Sequence, residues 1–294
     1  MKNSLTFVIS SFGEGGLHPE DNKDPFIDAI QNSIHSVYPD SKIIISCNGL
    51  DKEERDEINK RISDARDKCQ FLKDSPGSLK LVTHYEAWKH IDTEWAVFLD
   101  SDMVLLKSID EYLHDDIDYI FTWRKKDMNK GGWPWLNAGT MICRNTKNVR
   151  DFWEKYYEGM WKHAIEYSQG DQFAFVELLD NFNKSINKGA VLMDYPEDKI
   201  IKFRERDINF SAVHCNYLNH CDGGKPLIDE TCILHLKGKL GTIISQTEKN
   251  ERYQNAKREI QNKQGKYELI KSKIKLWAQF APKDIVEKVM KVYE

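Results

Sequence analysis

An α/β fold with a mainly parallel central sheet is predicted by three observations. Short, almost wholly apolar runs recur along the first hundred residues. Between them lie longer stretches whose apolar residues return every three or four positions. Turn chemistry falls at the ends of the runs. Strand, helix, strand, helix, strand in that order implies parallel pairing with right-handed crossovers. A chain of 294 residues suits one large domain with an appendage.

Leu5-Thr-Phe-Val-Ile-Ser10 reads as the first buried strand, and a glycine-rich loop, Gly13 to Gly16, follows. Asp24-Pro25 opens a helix, with Asp as cap and Pro in the first turn. Phe26, Ile27, Ile30, Ile34 and Val37 then keep helical spacing. Lys42 to Cys47 is a second buried strand ending at the turn signal Asn48-Gly49. Asp51 and Glu54 form a capping box for a helix whose core stripe is Ile58, Ile62 and Ala65. Phe71-Leu72 is a candidate third strand, and Leu81 to Ile91 a helix with Leu81, Tyr85 and Trp88 on one face. The strand Trp95 to Leu99 comes next. In the second half, Ile117 to Trp123 is a strand, and Leu136 to Cys143 a turn feeding a strand. Val149, Phe152, Trp153, Tyr156, Tyr157, Met160 and Trp161 mark an amphipathic helix. Another apolar helix follows Gly170-Asp171-Gln172, and strands and loops fill Asp194 to His235.

Bulk properties exclude several classes. Hydrophobic residues make up 40% of the chain, enough for a sizeable core, and the formal net charge of −4 does not suggest a nucleic-acid binder. No apolar stretch is long enough for a transmembrane helix. The apolar part of the first residues is short and reads as a strand, so a cytoplasmic protein is expected, with its six scattered cysteines reduced. From Glu251 onward there are 11 Lys/Arg against 6 Asp/Glu, an excess of +5. The expected organisation is a domain over 1–245 and a basic amphipathic helical tail over 246–294. Between 265 and 291 that tail either meets an anionic membrane surface peripherally or packs its apolar stripe on the domain.

The stretch WAVFLDSDMVLL, Trp95 to Leu106, interrupts an apolar run with two carboxylates one residue apart. In open α/β sheets the ligand crevice lies beyond the C-terminal ends of the strands. Ser10-Ser11, Asn48-Gly49 and Asp100-Ser101-Asp102 all sit at such ends. A carboxylate pair in a buried setting is costly unless a cation compensates it, and oxygen ligands suit Mg²⁺ or Mn²⁺. The plain alternative is a surface turn, against which Met103-Val-Leu-Leu106 returns at once to apolar character.

Four places carry a family resemblance: Phe98-Leu-Asp100-Ser-Asp102, Leu136-Asn137-Ala138-Gly139-Thr140, Gly170-Asp171-Gln172, and Ile233-Leu-His235-Leu-Lys237-Gly238. In this order they resemble the GT-A fold, metal-dependent glycosyltransferases, over most of the chain up to about residue 245. The Asp-Gln pair and the late His-x-x-Gly look most like glycosyltransferase family 8. The Lys-Pro-Trp that usually follows the glycine is absent, the chain reading Lys239-Leu240-Gly241. The resemblance implies a mixed, mainly parallel sheet flanked by helices, a UDP-sugar donor, a saccharide or glycoconjugate acceptor, and retention of configuration. It also implies Mn²⁺ or Mg²⁺ on Asp100, Asp102 and His235. Asp171 and Gln172 become the candidate catalytic residues. Ser11, Asn48, Lys80, Asp100, Ser101, Asn137, Gly139, Lys237 and Gly238 become candidate donor contacts.

Each residue also has an ordinary reading. His235 between Leu234 and Leu236 could be a satisfied core residue, and Asp171 a helix cap. Lys80, Lys237 and Lys239 could be solvated surface lysines. Trp133 and Trp135 either stack on an acceptor sugar or cover the core. His214-Cys215 and His220-Cys221 match no standard zinc spacing. Two rivals remain. A sugar-1-phosphate nucleotidyltransferase usually needs a basic phosphate loop after the first strand, where this chain has the acidic Phe12-Gly-Glu-Gly-Gly16. An inactive sugar-binding or scaffold protein on the same fold would not be expected to keep Asp100, Asp102, Asp171 and His235.

Overall fold

The computed structural model describes residues 4–10, 27–45, 51–68, 80–123, 136–164, 170–179, 200–220 and 229–235. Several expectations lie outside them: the loop Gly13–Gly16, Asp24-Pro25, Phe71-Leu72, the loop 124–135 with Trp133 and Trp135, Cys221, and everything after His235, the tail included. Ser11, Asn48, Lys237 and Gly238 lie outside as well.

Among the described residues the strands are β1 (Leu5–Ser10), β2 (Lys42–Ile45), β3 (Trp95–Asp100), β4 (Met103–Leu105), β5 (Tyr119–Trp123), β6 (Leu136–Arg144), β7 (Ile200–Glu205), β8 (Ile208–His214) and β9 (Ile233–His235). The longer helices are α1 (Ile27–Val37), α2 (Lys52–Lys68), α3 (Lys80–Ala87), α4 (Lys147–Ala164) and α5 (Gly170–Leu178). None of the described helices is long and apolar enough to cross a membrane. The chain divides into two compact units. Among described residues the first takes in 4–10, 42–99 and 110–215, and the second 27–41, 100–109 and 216–235.

The first unit holds a seven-stranded sheet in the order β2-β1-β3-β6-β5-β8-β7. β1 pairs parallel with β2, and β5 with β8; β6 runs antiparallel to both β3 and β5, and β7 antiparallel to β8. β3, β5 and β8 therefore run one way and β6 and β7 the other, a mixed sheet flanked by helices. The near-continuous apolar character of β1, β3 and β5 follows from burial: all their residues but Asp100 are buried. α4 lays Val149, Phe152, Trp153, Tyr156 and Met160 into the core, the stripe its periodicity predicts. Phe98 of β3 meets Trp153 with ring centroids 4.5 Å apart and Trp88 at 5.4 Å. The capping box is formed: Asp51 N–H donates to Glu54 Oε2 at 3.1 Å, and Glu54 N–H to Asp51 Oδ1 at 2.9 Å.

Two local readings change. Leu136-Asn-Ala-Gly-Thr140 is not a turn before a strand but part of β6 itself. The register with β5 slips here, Phe121 pairing with Met141 and Thr122 with Asn137, so Ala138 to Thr140 bulge out of that ladder. Asp171 lies within the first turn of α5 rather than ahead of it, where a carboxylate still suits the positive end of the helix.

The second unit contains the ribbon β4–β9, an antiparallel pair of three-residue strands. The run Trp95 to Leu106 is thus two strands in two sheets, with Ser101-Asp102 as the turn between them. The free edge of β4 is not left bare. Ser33 of α1, itself fully buried, accepts the Leu105 N–H at 3.0 Å and donates to the Ile30 carbonyl at 2.7 Å. On the other side β9 meets the segment after the helical turn Cys215–Leu218: His220 N–H donates to Ile233 O and His235 N–H to His220 O, both at 3.0 Å.

Candidate functional site

In the second unit, strand register builds a three-ligand group. β4 and β9 pair with Met103 opposite His235. Asp102, one residue before Met103, and Asp100, at the end of β3, thereby face the same imidazole. His235 Nε2 lies 3.0 Å from Asp102 Oδ1 and 3.6 Å from Asp100 Oδ2. The three ligand atoms all fall within 4.8 Å of one another, one from each residue. The His235 side chain is buried, while the two carboxylates keep 19% and 26% of their exposure, so the group has a dry side and an open side. Ser101 is half-buried in the turn that separates the carboxylates.

This donor set fits a hard or borderline divalent cation: two carboxylate oxygens and one imidazole nitrogen, close enough to share one ion and open on one side. A further observation supports the fit. His235 Nδ1 is 2.7 Å from the side-chain oxygen of Asn219, a fully buried residue. A carbonyl oxygen only accepts, so this contact favours the tautomer with its proton on Nδ1, the one that offers Nε2 to a cation shared with the carboxylates. Asn219 escaped the sequence reading. It stands next to His220, whose main chain bridges to Leu234, and only that pairing brings it beside His235.

In the first unit, Lys80, Asn137, Gly139, Asp171 and Gln172 are the sequence-predicted residues that the structure describes. Lys80, the first residue of α3, donates from Nζ to the Ala138 carbonyl at 3.0 Å and lies 3.8 Å from Asp171 Oδ2. It is not a solvated surface lysine: its side chain keeps 12% of its exposure and that of Asp171 5%. The β6 bulge is what turns the Ala138 carbonyl to this lysine. Asn137 stabilises the bulge from within, its Oδ1 accepting the Gly139 N–H at 3.0 Å and its own carbonyl accepting the Thr122 hydroxyl at 2.8 Å. Gln172 is buried, and its Oε1 has no hydrogen-bond partner among the described residues. Ser10, at the end of β1, shares a 2.8 Å hydroxyl contact with Thr83 of α3.

No protein-family model matches the chain, and no curated protein matches it by sequence. Several solved structures are similar to it. One is a glycosyltransferase involved in the glycosylation of the major capsid of PBCV-1, 15% identical, covering 80% of this chain and 95% of that one, with a TM-score of 0.39. A second is the glycosyltransferase GlyE of Streptococcus pneumoniae TIGR4, 13% identical, covering 81% of this chain and 55% of that one, at 0.41. A third is the galactosyltransferase LgtC in complex with donor and acceptor sugar analogues, 13% identical, covering 58% and 70%, at 0.35. Scores this low carry no assignment.

Proposed function

We propose that this chain is a glycosyltransferase of the GT-A type, transferring a sugar from a nucleotide-sugar donor, UDP-linked, to a saccharide or glycoconjugate acceptor with retention at the anomeric carbon. The observation that carries the reading is the convergence of Asp100, Asp102 and His235, with His235 aimed by Asn219. The order of the four sequence motifs supports it. Asp100, Asp102 and His235 would hold Mn²⁺ or Mg²⁺, which when bound supplies Lewis-acid stabilisation of the leaving diphosphate.

The remaining roles fall to the chain's own groups. Asp171 and Gln172 are assigned to the transferred sugar. The Gln172 Oε1 accepts a sugar hydroxyl, and a ligand that takes it up relieves a buried acceptor that has no partner among the described residues. Lys80 sets its ammonium 3.8 Å from the Asp171 carboxyl and compensates charge there. The Asn137–Gly139 bulge presents main chain to the donor, and Ser11, Asn48, Ser101, Lys237 and Gly238 complete its contacts.

The test is thermal unfolding with a panel of nucleoside diphosphates, each with and without Mn²⁺, followed by donor turnover. A ligand at about a hundred times its Kd adds about 2.7 kcal/mol of stability. UDP with Mn²⁺ is expected to stabilise the chain, and Asp102→Ala to abolish that effect. Binding without release of UDP from any donor would favour the inactive scaffold. Neither binding nor release would end the glycosyltransferase reading.

A further inference from the structure

We infer that Asn219 is a positioning residue for the metal group: its side-chain oxygen fixes the tautomer and the ring plane of His235, and with them the affinity of the site for a divalent cation. The inference rests on the metal reading above and adds to it a residue that no sequence motif contains.

Three observations bear on it. His235 Nδ1 and Asn219 Oδ1 are 2.7 Å apart, and both residues are buried, His235 at 2% exposure and Asn219 at 0%. Water is therefore excluded as a competing partner for Nδ1, and a donor–acceptor pair in such surroundings is costly to break. The main chain on either side is clamped. His220 N–H donates to Ile233 O, His235 N–H donates to His220 O, and Cys232 N–H donates to Tyr217 O at 2.7 Å. Asn219 is thus carried by a backbone that is itself registered on β9, so its amide cannot drift away from the imidazole without breaking the bridge. Finally, the opposite ring nitrogen faces both carboxylates, at 3.0 and 3.6 Å. The imidazole has one nitrogen for the protein and one for the cation.

The chemical consequence follows from the ring's two-sidedness. A neutral imidazole carries its proton on one nitrogen only. With the proton held on Nδ1 by a group that can only accept, the Nε2 lone pair is the one exposed to Asp100 and Asp102. Without Asn219 the ring is free to carry its proton on Nε2, where it would donate to Asp102 and block ligation. Outer hydrogen-bond partners of this kind typically account for 10–100-fold in metal affinity.

The experiment uses the full chain and Mn²⁺ alone, titrated calorimetrically into wild type, Asp102→Ala, Asn219→Leu and Asn219→Asp. Asn219→Leu keeps volume and removes the acceptor. Asn219→Asp keeps an acceptor at the same place. The expected result is a roughly 10–100-fold loss for Asn219→Leu, near-wild-type affinity for Asn219→Asp, and no binding for Asp102→Ala. Equal affinity of wild type and Asn219→Leu overturns the positioning role and leaves the metal reading intact. Failure of wild type to bind Mn²⁺ overturns the metal reading itself. Unfolding curves in chelator establish that each variant is folded. If Asn219→Leu is not, ¹⁵N-histidine spectra of metal-free wild type decide the matter, with His235→Gln assigning the resonance. A protonated Nδ1 on His235 supports the inference, and a bare Nδ1 overturns it.

Discussion

Met103 and His235 stand opposite each other across the β4–β9 ladder, and this one pairing is what brings Asp102 to within 3.0 Å of the His235 imidazole. A slip of one residue would send the His235 side chain to the other face of the ribbon. The ligand group is therefore as secure as a ribbon of three residues on each strand.

Ser33 is the next tie on that ribbon. Its hydroxyl accepts the Leu105 N–H inside the second unit. Ser33→Ala leaves a buried amide unpaired and is expected to destabilise the chain by about 1–3 kcal/mol. The lost tie should also weaken Mn²⁺ binding. Urea unfolding and a metal titration on the same preparation read the two effects together.

Lys80 and Asp171 should be energetically coupled. Lys80→Met withdraws the ammonium from a carboxylate that keeps 5% of its exposure, and a loss of about 1–3 kcal/mol is expected. Asp171→Asn in the same background should recover part of that loss, because the uncompensated charge is gone. A double-mutant cycle with a coupling near zero would refute this.

Glu177 gives a pH dependence of known sign. Its carboxyl is held below the ordinary glutamate range, first by the hydrogen bond from His163 and then by that from Lys162. The folded chain holds this proton less tightly than the unfolded chain. The stabilisation is present above the ordinary value of 4.5 and is lost as pH falls through the lowered folded value. Because the carboxylate is half exposed, the effect is limited to about 1 kcal/mol or less. Glu177→Gln should lower Tm at pH 7, and by progressively less as pH falls below 4.5.

Cys143 should be inert in the native chain. It is fully buried, accepts a hydrogen bond from Trp153 Nε1 at 3.3 Å, and has its thiol pushed far up by burial. Peptide mapping after iodoacetamide treatment at pH 8 should find it unmodified until the chain unfolds.

The hairpin between β7 and β8 turns on Arg206 and Asp207, both with positive φ, at 52° and 58°. This is the type I′ geometry, which Asn-Gly suits best. Arg206→Asn together with Asp207→Gly should stabilise the chain by about 1 kcal/mol, visible as a higher urea midpoint at unchanged m.

That hairpin also shows where sequence reading stops. Arg-Asp is not a turn signal, so β7 and β8 could be foreseen only as undivided strands and loops. Elements with strong local causes were legible. The stripe of α4, the Asp51–Glu54 capping box and the buried run of β3 each follow from periodicity or cap chemistry within a few residues. Asp100, Asp102 and His235 were legible as residue types at strand ends. What brings them together, the register of β4 on β9, is a pairing of distant segments with no local signature. Asn219 has none either, since a lone asparagine after a short helical turn reads as an ordinary loop residue. The bulge in β6 reads as a turn because Asn-Ala-Gly favours one, and pairing with β5 on both sides of it, at Leu136-Asn137 and from Met141 on, overrides that preference.

The β4–β9 ribbon also imposes an order in time. As the chain is synthesised, Asp100 and Asp102 leave the ribosome on the order of ten seconds before His235 does. Until then β4 has no β9 to pair with, and the carboxylates have no imidazole opposite them. The nascent protein can thus complete much of its large sheet, β8 included, while its Asp100–Asp102–His235 group is still incomplete. The three-residue group is therefore completed late in synthesis, at a point set by where one histidine falls in the chain.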